Sequence, residues 1–408
     1  MIAAGTMWRT DRSRLIGLAG LAGVVVAVAV LLLDLGFFFE PGVDDVLGGL
    51  AHHAFVLGLL LVLTSGSRTV SLSTLGIFWL IGVWSVYAVA YFLESNLASL
   101  FGANIDSQFV GVWLGPFLEE TSKLLPVAIF LLLAGRSGYR HPSLSDGLLL
   151  GFMVGAGVSF HEDADFGEIL VSGNGWGAAE PWSLIFPTIS PLGKYFALNH
   201  ALWGALSGLT IGAAVMLRHW RWAWPIALAG PLLSFTNHLM ANHYTFSEFG
   251  TSFLLRRASG GDVPWFYDTV RTLTAGGRLP MLVLIAGAVA VVVVELLILR
   301  WVGKRDRMFP PLSIGRVFGL IAHGTSKAGA AQLLAAERYV RLRRRVYFAG
   351  WRSKLAGEAP YVTDADYAQL VSLAAQLDAL PPETAQPSAA APADAPADAP
   401  AGDASPAG

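Results

Sequence analysis

The chain has 408 residues, of which 54% are hydrophobic and 14% charged, with a mean hydropathy of +0.56 and a formal net charge of −2. Soluble domains carry about 25% charged residues and rarely contain repeated apolar runs of 18 or more, so this composition is that of a polytopic membrane protein. The net charge argues against nucleic acid as a partner. Because the sequence contains no cysteine, a disulfide, a thiolate metal site and a cysteine nucleophile are all excluded.

Apolar runs of spanning length, bounded by proline, glycine, arginine or acidic residues, predict an all-α polytopic transmembrane helical bundle of about eight spans. The first run follows a basic start and exceeds the roughly 7 to 15 residues of a signal-peptide core, so we interpret it as a retained span. Small residues in the fifth run, Gly151, Gly155 and Gly157, are typical of helices that approach each other closely. The predicted spans cover residues 15–39, 46–64, 73–93, 108–134, 146–163, 191–217, 222–241 and 279–301.

The positions of arginine and lysine predict how these spans are oriented. The segments after the second, fourth and sixth spans carry arginines, whereas those after the first, third and fifth carry neither arginine nor lysine. By the positive-inside rule both termini are cytoplasmic. The loop between the seventh and eighth spans departs from this pattern, since it should be external yet contains Arg256, Arg257, Arg271 and Arg278.

The composition divides the chain into four parts. A cytosolic N-terminus, residues 1–14, precedes the predicted transmembrane domain, residues 15–301. Residues 302–380 are basic and then Ala-rich, with helical periodicity in two segments, which predicts a small cytosolic helical appendage. Residues 381–408 are dominated by proline, alanine and aspartate, a composition that cannot bury a core and predicts a disordered tail.

Three ionisable side chains, Glu119, Glu120 and Lys123, lie inside the fourth predicted span. Each costs roughly 2.5 to 3.5 kcal/mol at the centre of a membrane helix, so such a cluster predicts a functional site. On a helix the lysine can partly neutralise either carboxylate, because it follows them by four and three residues. In the predicted topology this span enters from outside, which puts the glutamates about 16 to 18 Å deep, near the midplane of a ~30 Å core.

Three other spans bring ionisable side chains to the middle or outer half of the membrane: Glu162, His200 and His238. Isolated charges would be scattered in depth, so this convergence predicts a shared polar cavity. Carboxylates and imidazoles without a Ser-His-Asp order suit activation of water, either by a carboxylate base or on a metal held by His and Glu. The residues alone also permit a proton-coupled transporter, or a noncatalytic scaffold whose ion pairs fix helix packing.

Four motifs lie on successive spans: Glu119-Glu120-x-x-Lys123; Asp146-Gly147 leading to Gly155-x-Gly157 and Glu162; Asn199-His200-Ala201-Leu202-Trp203-Gly204; and Thr236-Asn237-His238. Their order resembles the PrsW family of intramembrane proteases, which is related to type II CAAX prenyl proteases and bacteriocin-processing membrane proteases. The resemblance covers about residues 15–300. The chain departs from the family's usual pattern at Val158, where phenylalanine is usual, and at Asp163, where asparagine is usual.

The resemblance implies proteolysis of membrane-anchored proteins at or near the membrane surface, with anti-sigma factors as the best-known type of substrate. The expected partners are therefore a membrane-anchored protein and the lipid bilayer. The resemblance leaves two mechanisms open, a metallo-type and a glutamate-type. For the metallo-type, zinc is the candidate cofactor and Glu162, His200 and His238 are the candidate ligands. Carried over by position, the implied site comprises a water-activating pair, its basic partner and three further residues: Glu119, Glu120, Lys123, Glu162, His200 and His238.

Overall fold

The computed structural model describes residues 51, 53–55, 57–58, 68–103, 109–137, 142–165, 188–189, 195–217, 220–248, 264–305, 327–356 and 364–378. The first predicted span and the predicted tail after residue 380 lie outside these residues, as does most of the second span. The described part of the chain is mostly helical, so the predicted class is confirmed in its coarse form. The count of eight spans stays a prediction.

The described residues form helices α1 to α9 and one pair of short strands. Two segments are π-helical: Ile81–Val86 lies within α1, and Val110–Leu114 lies directly before α2. The elements are α1 (Leu72–Leu100), α2 (Gly115–Ser137), α3 (Leu144–Asp165), β1 (Thr188–Ile189), β2 (Phe196–Ala197), α4 (His200–Met216), α5 (Ala223–Glu248), α6 (Pro264–Leu273), α7 (Arg278–Arg305), α8 (Lys327–Ala356) and α9 (Asp364–Asp378).

Three stretches in the described part of the chain are long enough and apolar enough to cross a membrane. They are Leu72–Leu100, Leu144–Glu162 and Trp265–Arg300, the last of which comprises α6, a turn and the apolar helix α7. Helix α4 is apolar but shorter. These stretches support a membrane protein by length and composition.

The predicted start of the sixth span, residue 191, is wrong. We predicted helix from residue 191, but residues 196–197 form β2, which pairs antiparallel with β1, and α4 begins only at His200. The cause is Asn199, which has an extended backbone and whose side-chain oxygen accepts a hydrogen bond from the Leu202 amide at 2.9 Å. This is an N-cap, and it places His200 in the first turn of its helix.

Among the described helices, α3 and α4 approach each other very closely. A Cβ atom added at Gly151 would lie 2.0 Å from the Gly204 carbonyl oxygen, and one added at Gly155 would lie 1.9 Å from the His200 carbonyl oxygen. Gly157 faces the backbone of α1 in the same way, at 2.2 Å. The role predicted for these three glycines is therefore confirmed, because only a residue without a side chain lets the backbones meet.

The first turn of α3 is tied to the segment that precedes α1. The Ser143 hydroxyl accepts a hydrogen bond from the Asp146 amide at 3.3 Å, and the Asp146 carboxylate accepts one from the Ser143 amide at 2.7 Å, which is the reciprocal pattern of a capping box. The same carboxylate accepts the backbone amides of Thr69 at 2.8 Å and Val70 at 3.2 Å. Asp146 therefore has a structural role in the described fold.

Helix α8 packs on the same end of the bundle through a buried ion pair. Glu295 of α7 is fully buried, accepts hydrogen bonds from the Ser145 amide at 2.8 Å and hydroxyl at 3.0 Å, and pairs with Arg344 of α8. Burial lowers the pKa of the Arg344 guanidinium from its usual value, and the charge of Glu295 opposes that shift. Helices α8 and α9 share a second apolar core that includes Tyr347 and Leu370.

Candidate active site

Helix α2 carries the three charged side chains that the sequence places inside a span. Glu120 and Lys123 are 6% and 2% exposed, and the Lys123 ammonium lies 2.5 Å from Glu120 Oε1. Glu119 is more accessible, with 19% of its side chain exposed. Successive residues on a helix point about 100° apart, so the two glutamates face different surroundings. The structure thus separates a buried Glu120–Lys123 ion pair from a neighbouring carboxylate.

His200 connects α4 to both α2 and α3. Its Nδ1 lies 2.8 Å from the Lys123 ammonium, and its Nε2 lies 2.7 Å from Glu162 Oε2. An ammonium group can only donate, so Nδ1 is assigned as the acceptor and Nε2 as the N–H that donates to Glu162. Glu162, at the end of α3, therefore fixes the tautomer and the orientation of this imidazole.

His238 of α5 completes the cluster. Its Nδ1 lies 3.0 Å from Glu120 Oε1, and because a carboxylate accepts, Nδ1 is assigned as the N–H. Its Nε2 then faces Glu119 Oε2 at 3.9 Å. The ring stacks on Trp203, with centroids 4.0 Å apart and planes 14° apart, which holds its plane in place.

Asn237 fixes the backbone around both histidines. It is fully buried, and its side-chain oxygen accepts hydrogen bonds from the Leu198 amide and the Trp203 indole N–H, both at 2.8 Å. Its amide nitrogen donates to the Phe196 carbonyl at 3.0 Å and to the Tyr195 hydroxyl at 3.2 Å. Asn237 belongs to the Thr236-Asn237-His238 motif, but the motif alone predicts no role for it. The signal that could have found it is a polar amide beside a site histidine inside a predicted span.

The structure brings all six predicted site residues together. Four helices, α2 to α5, each contribute at least one of them, and the contacts described above link every member to another. The set is Glu119, Glu120, Lys123, Glu162, His200 and His238.

One group within this cluster fits a metal ion. Glu119, His200 and His238 each offer a ligand atom within 4.8 Å of the others. Glu119 Oε2 lies 3.6 Å from His200 Nδ1 and 3.9 Å from His238 Nε2, and this buried oxygen has no hydrogen-bond partner among the described residues. Ligands of a tetrahedral zinc, at about 2.0 Å from the metal, lie roughly 3.3 Å apart, so these atoms, which lie within 4.8 Å of one another, would have to move closer together to bind it.

The other nitrogen of each imidazole contacts a carboxylate, Glu162 for His200 and Glu120 for His238. Carboxylates in this position orient metal-binding histidines and increase their basicity. We expected Glu162 among the ligands, whereas the structure groups Glu119 with the two histidines and puts Glu162 behind one of them. Lys123 shares the His200 Nδ1 lone pair, so that nitrogen can bind either the ammonium or a metal.

Comparison with known proteins adds a family. Residues 71–255 match the family model described as PrsW family intramembrane metalloprotease. A search of curated proteins found no match, and neither did a search of solved structures. The matched segment contains α1 to α5 and hence all six residues of the cluster. The resemblance predicted from the motifs is therefore confirmed, and the match supports a membrane-embedded protease.

Proposed function

From the match of residues 71–255 to the PrsW family, we propose that this chain is an intramembrane endopeptidase that hydrolyses a peptide bond of membrane-anchored proteins. The observation that carries the proposal is the position of Glu119. Its buried Oε2 has no hydrogen bond from the described residues and lies between two imidazoles whose orientations are fixed by other side chains. Such a carboxylate is available to bind and deprotonate a water molecule.

The two neighbouring glutamates have different roles in this proposal. Glu120 Oε1 already contacts both Lys123 and His238, so it orients the site. Without a metal, Glu119 contacts the attacking water as its general base, whereas in the metal form it would be one of the ligands. Glu162 orients His200, and Lys123 adds positive charge beside the position where an oxyanion develops.

The metal form of the proposal uses the same residues. Glu119, His200 and His238 would hold the ion, with Glu120 and Glu162 behind the histidines. When bound, a divalent metal would supply Lewis-acid polarisation of the water and of the scissile carbonyl. The metal content of the purified protein tests this form separately from activity. We expect zinc to co-purify with the folded wild-type protein. His238→Ala should lose this zinc, whereas the control Gly76→Ala should retain it.

The finer parts of the proposal concern substrate and orientation. We propose regulated proteolysis of the anti-sigma-factor type, with cleavage of the substrate in the outer half of the bilayer and both termini of the chain cytoplasmic. The predicted charge distribution supports this orientation. Helices α8 and α9 then form the cytosolic appendage of the protease domain, and their packing on α7 through Glu295 and Arg344 supports an attached position.

The test compares membrane proteomes of cells that express wild type, Glu119→Gln or Glu120→Gln. A full-length membrane protein should accumulate in both variants, and its cleaved form should be lost. The matched control is Glu295→Gln, which removes another buried carboxylate of a membrane helix; its partner Ser145 lies about 25 Å along α3 from Glu162. We expect this control to lower stability while the substrate is still cleaved.

Thermal unfolding of the purified variants separates chemistry from packing. Inactive variants that unfold near the wild-type temperature support the proposal. If Glu119→Gln and Glu120→Gln both cleave the substrate at the wild-type rate, the proposal is refuted. If both variants fail to fold and no substrate accumulates, the result favours a noncatalytic scaffold.

A further inference from the structure

Two of the arginines that depart from the positive-inside pattern line one cavity. The cavity has a volume of about 530 Å³, within the range of small-ligand sites, and its wall includes Arg271 and Arg278. Asp268 and Thr272 lie on the same face of α6 as Arg271, one turn apart, and line it as well. Neither arginine forms an ion pair with a carboxylate of the described residues, so both guanidinium groups are available to an external anion.

The cavity is held by rigid contacts. The turn between α6 and α7 has three consecutive residues with positive φ, at Ala275, Gly276 and Gly277. The Gly276 carbonyl accepts a hydrogen bond from the Phe196 amide at 2.9 Å, and a Cβ at Gly277 would lie 2.0 Å from the Phe196 carbonyl oxygen. The Arg278 guanidinium lies over the Phe196 ring at 4.9 Å. Strand β2 and this turn therefore form a fixed wall.

Lipid-facing surface begins directly beside the cavity. From Leu279 onward α7 exposes large apolar side chains, including Leu282 and Ile285 at 57% and 53%. Helix α6 exposes Trp265 and Leu273 at 68% and 71% while its Tyr267 ring stacks on His243 at 3.5 Å. An amphipathic helix with an exposed tryptophan, followed by an apolar spanning helix, is typical of the membrane interface. This pattern favours a position of the two arginines at the level of lipid headgroups.

We propose that this cavity binds the headgroup of a zwitterionic phospholipid with a primary ammonium, of the phosphatidylethanolamine type. Two guanidinium groups match a phosphodiester, because arginine binds phosphate through charge-assisted hydrogen bonds in a fixed fork. Asp268 would repel a purely anionic ligand and instead accepts hydrogen bonds from the ammonium. The proposal requires a membrane but does not depend on protease activity.

The experiment measures lipid retention on the purified full-length protein by native mass spectrometry after exchange into mixed micelles. Wild type should retain phosphatidylethanolamine at least fivefold more than phosphatidylcholine, whose quaternary ammonium has no N–H to donate. The double variant Arg271→Gln/Arg278→Gln should lose this retention, and Asp268→Asn should lose only the preference between the two lipids. If the double variant does not fold, Arg271→Lys/Arg278→Lys takes its place, with an expected severalfold weakening.

The matched control is Arg221→Gln, because Arg221 is also exposed and lies over an aromatic ring, Trp222, at 5.1 Å. It should leave retention unchanged. Equal retention of the two lipids by wild type, equal loss in the Arg221→Gln control, or tighter binding of phosphatidylglycerol would each overturn the proposal. Displacement of the lipid by millimolar inorganic phosphate or by a soluble acidic peptide would also overturn it, since the ligand would then be a free phosphate or a protein segment.

Discussion

Substitution of Gly155 by alanine tests whether helix packing sets the geometry of the candidate site. The added Cβ would lie 1.9 Å from the His200 carbonyl oxygen and 2.8 Å from Ala201 Cα, whereas real Cβ contacts essentially never fall below 3.0 Å. Because these neighbours are backbone atoms, no side-chain rotation relieves the overlap. Helices α3 and α4 must therefore separate by about 1 Å, at a cost of roughly 1–3 kcal/mol for overpacking.

The same displacement acts on the site, because Glu162 lies on α3 and His200 begins α4. Their contact of 2.7 Å would lengthen by about 1 Å, beyond the usual hydrogen-bond limit of about 3.2 Å. A misplacement of this size in an active site can reduce the rate about 100-fold. We therefore expect Gly155→Ala to fold with reduced stability and to cleave its substrate 10- to 100-fold more slowly.

The assay is the rate of cleavage of the accumulated substrate by purified protein, with thermal unfolding measured in parallel. Gly76→Ala is the neutral control, because a Cβ there meets nothing within 4 Å, and alanine in a helix is favoured by up to about 1 kcal/mol. Gly212→Ala tests the opposite end of the α3–α4 interface, where the added Cβ would lie 3.2 Å from Gly147 Cα, and should lower stability slightly at unchanged rate. Wild-type rate and stability in Gly155→Ala would refute the reasoning.

Three further predictions concern buried polar groups. Asn237→Ala leaves the Leu198 amide and the Trp203 indole N–H without acceptors, so the free energy of unfolding should fall by about 1–3 kcal/mol for each group. Cleavage should also slow, and both the unfolding and the cleavage rate are measured on one protein preparation. Glu295→Ala leaves the Arg344 charge buried without its partner, so the free energy of unfolding measured with denaturant should fall by about 3–5 kcal/mol. The double variant Glu295→Leu/Arg344→Leu removes both charges and should recover most of that stability. If the double variant is as unstable as Glu295→Ala, the pairing role is contradicted. Asp146→Asn weakens three backbone hydrogen bonds and should lower the unfolding temperature without changing the cleavage rate of the protein that remains folded.

The helical class and the clustering of the six residues could be predicted from the sequence. Charged side chains inside apolar runs are expensive, so each one is informative, and their predicted depths agree across four spans. The same reasoning applies to Glu295, which lies inside the eighth predicted span and which we did not single out. Its partner Arg344 is 49 residues away in a helix of different composition, so the pairing itself leaves no periodic signal.

The features that the sequence did not predict are short or depend on tertiary contacts. Strands of two residues, such as β1 and β2, carry no periodicity, and the apolar stretch before Asn199 is compatible with helix. Asparagine before an apolar run is a known helix-start signal, and it would have corrected the boundary of the sixth span. Helix α6 begins with Pro264, a favoured first helical residue, but its ten residues are too few for a span.

The number of charges in the cluster bears on what else the site must contain. Glu119, Glu120 and Glu162 carry three formal negative charges against one positive charge on Lys123, while neutral imidazoles contribute none. Glu120 and Lys123 are buried and the other two carboxylates are largely covered, and an uncompensated charge in such surroundings is unfavourable, so a cation or protons must offset the difference. A divalent metal on Glu119 and the two histidines would offset both charges and leave the Glu120–Lys123 pair intact. Zinc bound to the folded protein can be measured directly, and protonation contributes no zinc, so the zinc content separates the two answers. A metal-free but fully active protein would assign the role of base to Glu119.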